Sequence, residues 1–263
     1  MRCKQILSDI ESAEEEARGA TQHPTGTLKV VSFASIGQHY LVPAISQYRE
    51  QHPGVRIELT LSQTTPDLYS AGGDVAILLA PRLPDSEMVA HLIGSTYSVL
   101  CASPRYVESR GVPREPFELA QHDCLTLQML SFSNRHWVLH GPNGSERIEV
   151  NGPLQVNIAE SLAIAIRDGM GIGVLPVYAA VDDLKAGRFV RILPHHSLLR
   201  MNVYVLYPSR RYIDARTRTW VDFLRRYLAT VLARDEALLA DLQDSNLATV
   251  KNNASESVVV SSA

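Results

Sequence analysis

The chain has 263 residues, of which 45% are hydrophobic and 20% charged, enough to bury a sizeable core and unlike a fibrous or wholly disordered composition. A formal charge of -3 and a pI near 6.3 exclude a large basic surface, which argues against nucleic-acid binding by this chain alone. Cys3, Cys101 and Cys124 lack the paired spacing of a zinc or redox site, no apolar run is long enough to cross a bilayer, and the N-terminus has no apolar signal core. These features predict a soluble, cytoplasmic chain with reduced thiols.

Taken in chain order, Ile6, Leu7, Ile10, Ala13 and Ala17 recur at helical spacing and predict an amphipathic first helix ending at Gly19. A polar linker follows, and Leu28 to Phe33 reads as the first strand of a folded domain. Ser35 precedes a helical run through Tyr48, His52-Pro53-Gly54 turns the chain, and Val55, Ile57, Leu59 and Leu61 alternate as a strand. Thr65-Pro66 has the form of an N-cap and first helical residue, and Val75 to Leu79 is an all-apolar strand. Repeated units of this kind predict a mostly parallel sheet covered by helices on both faces.

After a strand over Tyr97 to Cys101, Ser103-Pro104 offers another helix start, and Phe117 to Ala120 a further one. Cys124 to Leu127 is a strand, and the runs Trp137–His140 and Arg147–Val150 flank Pro142-Asn143-Gly144 as a hairpin. Asn157 is placed to cap a helix with Glu160 in capping-box position, Gly169 to stop it, and Ile172 to Leu175 to follow as a buried strand. Phe189 to Leu193 and Met201 to Tyr207 are strands, and Thr217 to Leu228 is a final amphipathic helix. From Ser245 onward the apolar period is lost, which predicts a disordered tail.

No motif here carries catalysis. Serine, histidine and aspartate occur without a G-x-S-x-G elbow, the Gly169 to Gly173 run follows a helix rather than a strand, and His195-His196 lacks metal-ligand spacing. What remains is a set of polar residues just past strand ends, where free backbone N–H groups and hydroxyls converge in α/β sheets. Ser35, Thr65, Ser103 and Asn157 belong to this set, Ser32, Gln63, Thr64 and Gln128 lie near the same mouth, and Phe33, Leu127 and Trp137 supply apolar walls. Such a rim suits binding without turnover.

The chain resembles the LysR-type transcriptional regulators from about Arg2 to Leu228. The likeness resides in Arg2 to Leu7, Pro24 to Val30, His52-Pro53-Gly54-Val55, Gly73-Asp74-Val75-Ala76-Ile77 and Leu100 to Tyr106. It continues in Ala120 to Leu125, Gly169 to Pro176 and Gly187 to Pro194, and the order and spacing of these stretches make it specific.

The resemblance implies an α/β fold of two Rossmann-like lobes with a hinge, the periplasmic-binding-protein type 2 fold, preceded by a linker helix. The implied domains are a linker and dimerisation helix over 1–20, an effector-binding domain over 27–229, and a C-terminal extension over 230–263, largely disordered from 245. Lobe I would take about 27–100 and 206–229, and lobe II about 101–205. A small-molecule inducer would be held between the lobes and contacted by Ser32, Ser35, Thr64, Thr65, Gln128 and Asn157. The chain would assemble as a homodimer or homotetramer and need no cofactor or metal.

The family's promoter-binding winged helix-turn-helix precedes the linker helix. Met1 falls inside the equivalent of that helix, so promoter DNA is expected to be reached only through a module missing from this sequence. Gln63 to Gly73 also departs from the family's longer, more hydrophobic helix before the Gly-Asp turn. A free-standing solute-binding protein of the same fold is the alternative reading.

Overall fold

The computed structural model describes residues 24–65, 68, 72–83, 88–128, 135–208 and 213–259, with side chains as far as 242. The linker helix expected over 1–20 and Pro66 lie outside these residues. Strand β1 (Gly26–Phe33) leads into helical turns at Ala34–Ile36, a π-helical stretch at Gly37–Leu41 and helix α1 (Val42–Gln51). Strands β2 (Val55–Ser62), β3 (Val75–Ala80) and β4 (Met88–Ala102) follow, then helix α2 (Pro104–Arg110), a 3-10 helix at Pro116–Gln121 and strand β5 (Cys124–Leu127). The hairpin β6 (His136–Gly141) and β7 (Gly144–Glu149) precedes β8 (Gln155–Val156), helix α3 (Ala159–Arg167), β9 (Ile172–Pro176) and helix α4 (Val177–Lys185). Strands β10 (Val190–Ile192) and β11 (Leu198–Pro208) lead to the long helix α5 (Ala215–Val259).

The chain divides into two compact units. Among the described residues, unit 1 takes 24–96 and 201–231, and unit 2 takes 97–200 and 232–259. The backbone therefore passes between units three times, in β4, in β11 and within α5, where the sequence suggests two passages.

In unit 1, β1 is central. It pairs in parallel with β2 over its full length, from Gly26↔Val55 to Phe33↔Ser62, and in parallel with β3 at Val30↔Val75 to Ser32↔Ile77. The backbone of Asp74 and its carboxylate both bond the main chain of Lys29, at 2.8 Å each, fixing where β3 starts. β11 then returns antiparallel to β3. Val31, Leu68, Ala76 and Leu206 form one apolar cluster. Elsewhere Tyr48 of α1 meets Trp220 of α5 edge-on at 4.9 Å, and its hydroxyl reaches Thr219 Oγ1 at 2.8 Å, satisfying the polar end of a fully buried ring.

In unit 2, β5 is flanked in parallel by β8 and β9, whereas β4 pairs antiparallel with β9 and with β10. The strands of each unit are thus of mixed direction, not mostly parallel as expected, because β4 and β11 each return the chain without a covering helix. Helix α3 lays Leu162, Ala163 and Ile166 into an apolar cluster with Val99, Leu125 and Leu175. It stops as the sequence indicates. Gly169 takes φ +77°, with Gly169 N–H bonding Ile166 O at 3.0 Å and Met170 N–H bonding Ala165 O at 3.1 Å, the paired contacts of a left-handed C-cap.

Helix α5 runs on from Thr217–Leu228 through Leu232, Leu238, Leu239 and Leu242, whose spacing permits a helical extension, and its backbone stays helical past Ser245, where the sequence suggests disorder. The stretch from Ala215 to Val259 contains neither glycine nor proline, the two residues that most readily break a helix.

Candidate functional site

The sequence-derived candidates fall at carboxyl ends of parallel strands, where an α/β sheet leaves backbone groups unpaired. In unit 1, Ser32 is the penultimate residue of β1 and is completely buried. Ser35 is the second residue of the helical turn that follows, rather than its cap. The N-cap is Phe33, which has no hydroxyl, and no side chain caps the helix. With the cap position apolar, the first-turn N–H groups keep their partial positive charge unmasked by a side chain. Neither serine hydroxyl has a hydrogen-bond partner among the described residues, although both oxygens are shielded from solvent. A buried unpaired hydroxyl is costly, by about 1–3 kcal/mol, which a hydrogen-bonding ligand would relieve.

Thr64 and Thr65 follow the end of β2 and are exposed. Thr64 is held by Ser62, whose Oγ accepts from Thr64 N–H at 3.1 Å and lies 3.0 Å from Thr64 Oγ1. Ser62 pairs in register with Phe33, so this small network adjoins the end of β1. Sequence reading does not single out Ser62. Its signal is positional, the last residue of an alternating strand.

In unit 2, Gln128 and Asn157 follow the parallel strands β5 and β8 and are both exposed. Gln128 N–H donates to Val156 O at 2.6 Å, and its side-chain oxygen accepts from Gln155 Nε2 at 3.3 Å. Gln155 is a second residue that the sequence does not announce. Asn157 does not cap α3. The cap position belongs to Ile158, without a side-chain bond, and Glu160 is second in the helix, so the capping box does not form. Pairing of Val156 with Leu127 holds the chain extended up to Asn157, one residue later than the pattern suggests. The Asn157 amide is thereby released from capping.

Trp137, expected as a wall, is instead buried beside Leu139, Val150 and Leu193 in a core cluster. Phe33 and Leu127 are partly buried, and Leu127 packs on the α3 cluster. The far end of α3 is fastened by charge. Asp183 of α4 accepts from Arg167 Nε at 3.0 Å and pairs with Arg188 through its other oxygen. Burial would raise the Asp183 carboxyl, but the two arginines outweigh it and hold it below its ordinary value. Among the described residues no group of three or more His, Cys, Asp or Glu could hold a metal, and no helix is long and apolar enough to cross a membrane.

Comparison with known proteins gives these features a family. The LysR substrate binding domain matches residues 21–229. The HTH-type transcriptional regulator DmlR of Escherichia coli strain K12 is 27% identical over 226 residues, which is 86% of this chain and 73% of that protein. Among solved structures, the full-length Vibrio cholerae virulence activator AphB is similar at TM-score 0.70 and 26% identity, covering 86% of this chain and 76% of that one. The regulatory domain of CrgA, a LysR-type transcriptional regulator from Neisseria meningitidis, is similar at TM-score 0.69 and 26% identity, covering 80% of this chain and 100% of that one. The α/β units described above are those of a periplasmic-binding-protein type 2-like fold, and the chain belongs to the LysR substrate-binding-domain family.

Proposed function

We propose that this chain is the effector-sensing portion of a LysR-type transcriptional regulator, acting in the cytoplasm and binding a small molecule without turning it over. The unpartnered, buried hydroxyls of Ser32 and Ser35 beside an uncapped helix start carry this reading. They offer donors where nothing else among the described residues uses them. Ser32, Ser35, Thr64 and Thr65 of unit 1 and Gln128 and Asn157 of unit 2 are the proposed contacts. The unit 1 set suits a ligand oxygen, above all a carboxylate, because hydroxyls and helix N–H groups all donate there. The chain assembles as a homodimer or homotetramer, and promoter DNA is contacted by a winged helix-turn-helix module outside these residues. The relatives named above are transcription regulators and lend no support to a free-standing solute-binding protein.

A thermal-shift panel of small carboxylates and their amide counterparts tests the proposal. A carboxylate at about a hundred times its dissociation constant should stabilise the chain by about 2.7 kcal/mol. Ser32→Ala should leave the ligand-free chain no less stable, because it removes an unsatisfied buried group, and should weaken the carboxylate's effect at least about tenfold in dissociation constant. Equal binding by the wild type, Ser32→Ala and Ser35→Ala would remove both serines from the site.

A further inference from the structure

The family match ends at residue 229, but the ordered core does not. Helix α5 keeps one buried stripe beyond that point, through Val231, Leu232, Asp235 and Leu239, with Leu242 partly buried. From Leu232 onward these positions recur every three or four residues, as one face of a helix must. Up to Val231 the helix belongs to unit 1, and from Leu232 it belongs to unit 2. There Leu239, 1% exposed, is a member of the apolar cluster formed by Ala159, Leu162, Ala163 and Ile166 of α3 and Leu125 of β5, and Leu242 packs against it. Leu127 and Val156, the residues just before Gln128 and Asn157, pack on the same cluster. Asp235 is 2% exposed, its carboxylate bonded by Arg234 at 2.8 Å, so the stripe continues through a neutralised polar position.

We propose that residues 232–242 form a docked strap. The strap completes the core of unit 2 from outside the family's matched region and so steadies β5, which Gln128 follows, and α3, which Asn157 precedes. Releasing the strap takes Leu239 and Leu242 away from the α3 cluster and so softens the start of α3. The proposed effector role of Gln128 and Asn157 enters only in saying what the strap regulates. Its docking is tested without any ligand.

Hydrogen exchange on the 263-residue chain is compared with chains ending at Asp244 and at Val231, and with a Leu239→Ala, Leu242→Ala double variant. Ending at Asp244 should change nothing over 97–200. Ending at Val231, or the double substitution, should lower amide protection in α3 and β5 about tenfold or more while β1 and β2 of unit 1 keep theirs. If the shorter chain does not fold, the double variant decides. Unchanged protection of α3 and β5 in the double variant, or a loss spread equally over both units, overturns the strap. Neither result bears on whether the wild-type chain binds a carboxylate, which the thermal-shift panel measures separately.

Discussion

Replacing Asp183 by asparagine keeps the side chain's shape and removes the charge that fastens α3 to α4. Asp183 is 6% exposed at its side chain, while Arg167 and Arg188 are 41% and 55% exposed. Removing one partner of a fully buried pair costs about 3–5 kcal/mol, because the other charge is stranded. Here both arginines reach water, so stranding is slight and the loss is chiefly of charge-assisted hydrogen bonds, each about 1.5–3 kcal/mol before solvent screening. A net destabilisation of about 2–3 kcal/mol follows, or a fall of about 4–12 °C in the Tm of a chain this size. The folded carboxyl lies below its ordinary value, so its contribution is complete above the unfolded value of about 3.9 and is lost as pH falls through the lowered folded value. Thermal melts of wild type and Asp183→Asn should therefore differ by a constant amount from about pH 8 to about pH 5, and converge in stronger acid. A Tm difference below about 2 °C at neutral pH would show that the arginines are held by something other than this carboxylate.

Cys101 and Cys124 are fully buried, and burial pushes each thiol up to about 12. In a Cys3→Ser chain, a disulfide reagent at neutral pH should leave both unmodified until the protein is unfolded, and rapid labelling of the native chain would contradict their burial. At Gly152, a Cβ would stand 2.2 Å from Cys124 O and 2.6 Å from Cys124 C, both backbone atoms of β5. Gly152→Ala should cost at least about 1–3 kcal/mol and lower the urea midpoint, since a strand cannot yield as a flexible side chain does. An unchanged midpoint would mean that β5 and the Gly152 turn are not held together as described.

Where sequence chemistry and backbone geometry are set by the same residues, the fold is legible. Ser103-Pro104 reads as a cap and first helical residue, and Ser103 Oγ does accept from Tyr106 N–H at 3.3 Å, because proline fixes the turn that follows the serine. Gly169 is equally direct. Asn157 misleads because its neighbours have a second employment, pairing β8 with β5, that no local pattern reveals. The first half of β4 is hidden since His91, Gly94 and Ser95 interrupt its apolar alternation. Helix α4, absent from the sequence expectations, does carry a helical signal, since Val177, Ala180, Val181 and Leu184 are buried at i, i+3, i+4 and i+7. For the candidate site, strand ends name the neighbourhood, but Gln155 meets Gln128 at the end of the adjacent β5, a partnership that exists only once the sheet has assembled, whereas Ser62 holds Thr64 by a local contact two residues on.

The π-helical stretch at Gly37–Leu41 has a consequence for how this rim can change over time. A π turn carries one residue more than the α turn it replaces, and each helical residue advances the direction of side chains by about 100°. Dropping one residue there would let the segment wind as ordinary helix while β1 and α1 keep their places, so a one-residue change in length is absorbed between them. Length variation at this turn is thus a change that leaves the core alone.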